Sequence, residues 1–382
     1  MRIVVRFWKN EEGLIRWQTC GVCGLGRELE LPCLCIPGQQ DIHWIFTELA
    51  PAAVEISVAR TSEEGTHRGG EVQEGGCVKV LVFGAGSIGS VIGALLSEEN
   101  DVTLLTRGAH LEAIRKDGLS IQGVLDKRVK LNAVSSLDDA QEYDAVIITV
   151  KSYDTRSAAA ECAKIASKKT FFISVQNGLG NAEILSEFLP MDNIVAGTTS
   201  MGAHRIGPGV IRYVALGEMV LGTIAPNSKV ADLALDLLKS SGMHAKIVDN
   251  IEGVLWSKAI VNSAINPITA ILGCENGLVV RSEALRSIAR DVCMEGRAVA
   301  AACDIKLDPP DVFDYLTVVA EQTANNRSSM LLDVEFGRRT EIEEIAGKIV
   351  QSGRESGIET PVTSALLSMI RYIESRTRYQ KA

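Results

Sequence analysis

The chain has 382 residues, 46% of them hydrophobic and 23% charged, with a net charge of −9 at pH 7. That length is enough for two or three domains with a sizeable core. The acidic balance argues against nucleic acid or an anionic membrane surface as the main partner.

Arg2, Arg6 and Lys9 break up the first residues, and no apolar run follows them, so no signal peptide is expected. Residues 1–77 carry five of the nine cysteines and three of the four tryptophans, and then pass through the glycine-rich polar stretch TSEEGTHRGGEVQEGG (61–76). This composition reads as an extension with a linker. Cys20, Cys23, Cys33 and Cys35 lie close together in the sequence and could hold zinc. A CxC second half is not the usual ribbon spacing, however. The favoured readings are a loosely ordered extension or a segment upstream of the true start, with Val78 as an alternative initiator. The nine cysteines show no secreted disulfide framework, so a reducing cytoplasm is expected.

The run Val80–Ser97 is uncharged and nominally long enough to be a membrane candidate. Gly84, Gly86, Gly89 and Gly93 punctuate it, and its first part has a strand pattern. It reads as the start of a βαβ unit: a strand at 78–83, the turn Gly84-Ala85-Gly86-Ser87-Ile88-Gly89, a helix ending near Glu99, and a strand at 102–106. Glycines permit a tight turn and close backbone approach to a pyrophosphate, which then sits on free N–H groups at the helix start. NAD sites usually end the second strand with an acidic residue. Here Thr106-Arg107 stands in that place. An arginine can pair with a 2′-phosphate, so NADPH is favoured over NADH.

Further strands are expected at 144–150 and 171–176, followed by Lys151 and by Asn177-Gly178. Ligands in open α/β sheets bind at the carboxyl ends of strands. A capping lysine and an Asn-Gly turn explain the same residues equally simply. Residues 197–222 read as short strands that close the sheet, and from about residue 247 the pattern is helical to the end.

Within that half, LWSKAIVNSAINPITAI (255–271) sets Lys258, Asn262 and Asn266 on one helical face of an otherwise apolar run, with Pro267 expected to end or kink the helix. In NNRSSMLLDVEFGRRTEIEEIAGKIV (325–350) a helix is expected from Ser328, loosened at Gly337. The spacing Thr340-x-x-Glu343 predicts a capping box that opens a second helix with Glu341 in its first turn. A glutamate there suits the helix dipole without any functional role.

The segments GAGSIG, VKSYDT, QNGLG, GTTSMGAH, LWSKAIVNSAINPITAI, ENG, NNRSSMLLDVEFGRRTEIEEIAG and GIETPV occur in one order. Through them the chain from Val78 onward resembles the ketopantoate reductase family. The resemblance implies an α/β Rossmann-type dinucleotide-binding domain (78–247) followed by an all-α C-terminal domain (248–382), with an active site between them. It also implies a cytoplasmic enzyme that reduces 2-dehydropantoate to (R)-pantoate with NADPH, on the route to pantothenate and coenzyme A. A relative acting on another 2-keto acid is the alternative, and a homodimer is the family-level expectation.

By the same resemblance Lys258 is the general acid. Asn177, Asn262, Asn266, Asn276, Asn326 and Ser329 bind substrate. Gly84 to Gly89 (with Ala85, Gly86, Ser87 and Ile88), Arg107, Lys151, Asn177, Ala203 and Glu341 surround the cofactor. A carboxylate at Glu341 would oppose any fall in the Lys258 pKa caused by burial. No metal is implied. Residues 1–77 lie outside the resemblance.

Overall fold

The computed structural model describes residues 2–9, 15–20, 55–59, 77–137, 142–225 and 229–379. The chain divides into two compact units, Met1–Glu74 and Gly75–Ala382. In the first, strands β1 (Arg2–Lys9), β2 (Ile15–Cys20) and β3 (Glu55–Ala59) form a sheet of order β2-β1-β3. The expected linker and the side chains of Cys20, Cys23, Cys33 and Cys35 lie outside the described residues.

In the second unit, β4 (Lys79–Phe83), β5 (Asp101–Leu105), β8 (Asn132–Val134), β9 (Ala145–Ile148), β10 (Phe171–Ser174) and β11 (Ile194–Thr199) form a parallel sheet in the order β8-β5-β4-β9-β10-β11. The strand order reverses at β4, and the crevice at such a switch point is where ligands bind. Helices α1 (Ser87–Leu96), α2 (Gly108–Asp117), α3 (Thr155–Ile165) and α4 (Asn181–Ser186) connect the strands. Val80–Phe83 and Ala145–Ile148 are buried at every position, as strands covered on both faces must be. The uncharged run from Val80 is therefore β4, the turn and α1. No described helix is long and apolar enough to cross a membrane.

The region 197–222 departs from expectation. Only its outer parts, β11 and β14 (Met219–Thr223), extend the main sheet, with β15 (Ala245–Ile247) at the edge after α5 (Val230–Ser240). Its middle forms a hairpin, β12 (Gly202–Gly207) and β13 (Val210–Ala215), within a separate sheet completed by β6 (Leu119–Gly123) and β7 (Lys127–Val129). Ile121, Ile211 and Tyr213 of this small sheet share a core with Val91 and Ile92 of α1.

From residue 251 onward the described chain is helical: α6 (Ile251–Leu272), α7 (Leu278–Arg281), α8 (Glu283–Ala302), α9 (Val312–Gln322), α10 (Ser329–Glu335), α11 (Lys348–Ser356) and α12 (Pro361–Tyr379). α6 is the centre of this layer. Its apolar side buries Trp256, Ile260, Ala264 and Ile268, each large aliphatic contributing roughly 1.5–3 kcal/mol. A Cβ at Gly296 of α8 would lie 2.7 Å from Ile260, so the bare backbone is what lets α8 pack this closely. α6 continues past Pro267 to a left-handed Gly273 cap instead of ending there. Packing from several helices outweighs the lost N–H.

Candidate active site

The glycine-rich turn joins β4 to α1 as expected. Gly84 has φ +99, and a Cβ there would sit 2.5 Å from Val150. Gly89 packs against Thr149 and the Gly84 carbonyl, too close for any side chain. Thr149 Oγ1 donates to the Gly84 carbonyl at 2.8 Å, tying the turn to the end of β9. Gly86 caps α1 without a side-chain hydrogen bond, so the Ser87, Ile88 and Gly89 amides at the helix start stay open to an anion. These features fit a dinucleotide pyrophosphate. Arg107 follows β5, caps α2 and is exposed. Ala203 lies in β12, half-buried against the core that includes α1.

Lys258, Asn262 and Asn266 lie on one face of α6, as their spacing predicts. The Lys258 ammonium donates to Thr198 Oγ1 at 2.5 Å and to the Thr199 carbonyl at 2.7 Å, at the end of β11. Burial pulls its pKa down to about 8, against the opposing pull of the Glu341 carboxylate. Of these two effects, desolvation wins. The side-chain amides of Asn262 and Asn266 make no hydrogen bond to protein among the described residues, although Asn266 is only 7% exposed.

Glu341 is not in the first turn of a regular helix. The expected capping box does not form: Glu343 pairs with Arg371, and the Thr340 amide is bound by Glu374 at 2.7 Å. A π-helical turn at Glu343–Gly347 precedes α11, and Glu341 lies buried just before it. Its Oε2 takes the Lys151 ammonium at 3.0 Å, and its Oε1 takes the Ser152 amide at 3.0 Å and the Ser152 hydroxyl at 3.2 Å. Asp333 Oδ2 takes the same ammonium at 2.7 Å, while Asp333 Oδ1 pairs with Arg338 at 2.9 Å. Burial lowers the Lys151 pKa, but the two carboxylates outweigh it and hold the group above its ordinary value.

The Ser152 hydroxyl shares its single hydrogen between Glu341 Oε1 and the closer Asn177 carbonyl. Gly178, at φ +83, lies against the Glu344 backbone, and Leu179 N donates to the Glu344 carbonyl at 2.9 Å. Lys151, Asn177 and Glu341 thus converge, although the first and the last belong to opposite halves of the family fold.

Asn276 N donates to the Asn326 carbonyl at 2.9 Å, which brings those two residues together. Asn276 Nδ2 donates to Thr323, whereas its buried Oδ1 has no partner among the described residues. Such an orphaned acceptor suits a ligand hydroxyl. Asn326 and Ser329 are exposed. Ser328 caps α10 by accepting from Leu331 N, and the Asn326 amide donates to the Thr323 carbonyl at 2.8 Å. Thr198, Ser152 and Asp333 carry site contacts that the sequence reading did not assign. All three stand inside quoted motifs, Thr198 in GTTSMGAH, Ser152 in VKSYDT and Asp333 in NNRSSMLLDVEFGRRTEIEEIAG.

Comparison with known proteins bears on both halves. The family model described as ketopantoate reductase PanE/ApbA matches residues 80–226, and its C-terminal counterpart matches 250–374. A 2-dehydropantoate 2-reductase of Archaeoglobus fulgidus is 40% identical over 299 residues, spanning 78% of this chain and 98% of the relative. That of Pyrococcus horikoshii is 37% identical over 300 residues, with the same coverage of both chains. Among solved structures, a PanE/ApbA family ketopantoate reductase from Ralstonia eutropha is 34% identical at a TM-score of 0.73, covering 78% of this chain and 99% of that one. D-mandelate dehydrogenase with NADH and anilino(oxo)acetate is 27% identical at a TM-score of 0.75, with the same coverage. Matched along both its α/β and its helical part, the chain belongs to the ketopantoate reductase family of oxidoreductases.

Proposed function

We propose that the protein reduces 2-dehydropantoate to (R)-pantoate with NADPH, and that Lys258 donates the proton. The observation that carries this reading is the Lys258 ammonium. It is enclosed at the end of β11, brought to a pKa of about 8 mainly by burial, and shares its helix face with two amides that have no protein partner among the described residues. The names of the relatives at 37–40% identity support the substrate.

Gly84 to Gly89 would hold the pyrophosphate of the dinucleotide, Arg107 its 2′-phosphate, and Lys151, Asn177, Ala203 and Glu341 its remaining contacts. When bound, the nicotinamide cofactor supplies the hydride that adds to the keto carbon. The protein's part is to fix the substrate and deliver a proton. Asn262 and Asn266, about 6 Å apart along one helical turn, match the length of a small branched keto acid. Asn276 Oδ1 would accept from the substrate's own hydroxyl. As negative charge builds on the former carbonyl oxygen, the Lys258 ammonium stabilises it and transfers Nζ–H to it. A pKa near 8 keeps the group mostly charged at neutral pH while making it a stronger acid than a free lysine. The neutral amine then regains a proton from water. Thr198 and Thr199 hold the ammonium in place for this step.

The likeness to D-mandelate dehydrogenase favours one second reading, reduction of a bulkier 2-oxo acid with NADH. A kcat/KM panel separates the two. 2-Dehydropantoate with NADPH should exceed the 2-oxo acid of mandelate, with either cofactor, by at least a hundredfold. The reverse order would replace the proposal with the second reading.

A further inference from the structure

His110 lies on α2 and is 3% exposed. Its Nδ1 accepts from the backbone amide of Gly209, in the turn of the β12–β13 hairpin, at 2.9 Å. An amide can only donate, so Nδ1 carries no proton and the neutral ring bears its hydrogen on Nε2. Burial, helped by the Arg205 charge, lowers the pKa to about 4, so this neutral tautomer persists at physiological pH.

Nε2 is 3.2 Å from Ser90 Oγ, and Ser90 Oγ is 3.2 Å from the Ala85 carbonyl. With Nε2–H donating to the serine oxygen, the serine hydrogen is free for Ala85. A directed chain therefore runs from Gly209 N–H through His110 and Ser90 to the carbonyl of the central peptide of the glycine-rich turn. The same hairpin is tied to α1 a second time, where Arg205 N donates to Ser87 Oγ at 3.0 Å.

The peptide held this way joins Ala85 to Gly86, and the missing side chain of Gly86 makes rotation on its side of a peptide flip sterically cheap. A flip would swing the Ala85 carbonyl toward the phosphate side and break the 2.6 Å bond from the Gly86 amide to the Gly84 carbonyl. We propose that His110 is a positioning residue for the dinucleotide. Through Ser90 it locks the Ala85–Gly86 peptide with its carbonyl inward, and it makes the small second sheet the brace of the phosphate-binding turn. This rests on the dinucleotide reading above.

The test is direct titration of the full chain with NADPH, in wild type, H110F, S90A, the double variant, H110Q, and the core-trimming control I114V. H110F and S90A should each weaken NADPH binding about tenfold, the scale of one buried hydrogen bond. The double variant should bind no worse than either single one, because all three break one chain. H110Q, whose amide can still donate to Ser90, should stay within threefold of wild type, and I114V should bind normally. kcat at saturating NADPH should change less than twofold in H110F and S90A.

Single-variant binding within twofold of wild type, fully multiplicative losses in the double variant, or equal weakening in I114V would overturn the proposal. Should H110F fail to fold, S90A and H110Q decide the matter. A wild-type chain that does not bind NADPH would overturn the cofactor reading together with this one. Normal wild-type binding with unaffected variants would overturn this one alone.

Discussion

Lys258 Nζ lies 2.5 Å from Thr198 Oγ1, so a helix of the C-terminal half places its ammonium at the carboxyl end of a strand of the dinucleotide sheet. Because the hydroxyl accepts from a charged donor, it favours the protonated lysine. T198V removes that acceptor. The ammonium should then be less stable, and the activity of the variant should decline at lower pH than that of wild type. Wild-type reduction should be full below pH about 8 and fall as pH rises through it, because only the protonated amine can donate. A pH profile of kcat checks this; an unchanged or raised alkaline limb in T198V would count against it.

Glu341 acts on the same group from the other direction, since its charge opposes the effect of burial on Lys258. In E341Q the neutral amide can still accept from Ser152, but the pull on Lys258 is gone. The alkaline limb should move down, while Lys151 keeps its 2.7 Å pair with Asp333. A limb that stays put would show that the two groups are not coupled.

Arg107 is predicted to discriminate between cofactors by charge. R107A should raise the Kd for NADPH about tenfold or more and that for NADH less than twofold, the loss expected for one charge-assisted contact. Equal weakening for both, measured by titration, would reject a 2′-phosphate role.

Stability depends on a cap far from the site. Glu295 on α8 accepts from Val362 N at 2.8 Å, Thr363 N at 2.9 Å and Thr363 Oγ1 at 2.6 Å, closing the start of α12 behind Pro361. E295A should cost roughly 1–2 kcal/mol in a urea unfolding titration while leaving kcat unchanged. A loss below about 0.3 kcal/mol, less than the usual worth of a cap, would show that solvent serves these amides equally well.

The parallel strands and the glycine-rich turn were legible because their signals are local: apolar runs buried on both faces, and glycines where backbone approaches backbone. The polar face of α6 was legible for the same reason, as Lys258, Asn262 and Asn266 declare it by spacing alone. What escaped depends on distant partners. Lys127–Val129 and Asn132–Val134 are three-residue strands, too short to show a period. The Thr340-x-x-Glu343 spacing suggested a local cap, but Arg371 and Glu374, both from α12, claim its two ends. Asp333 looks like an ordinary helical aspartate until Lys151 is brought 2.7 Å from it.

The most direct test is reduction of 2-dehydropantoate by NADPH at pH 7, with wild-type protein and K258A measured side by side. Wild type should turn over, and K258A should lose a factor of about 10²–10⁴ in kcat, the usual contribution of a positioned proton donor, while its Kd for NADPH stays within twofold. No turnover by the wild-type protein, or near-wild-type turnover by K258A, would contradict the account.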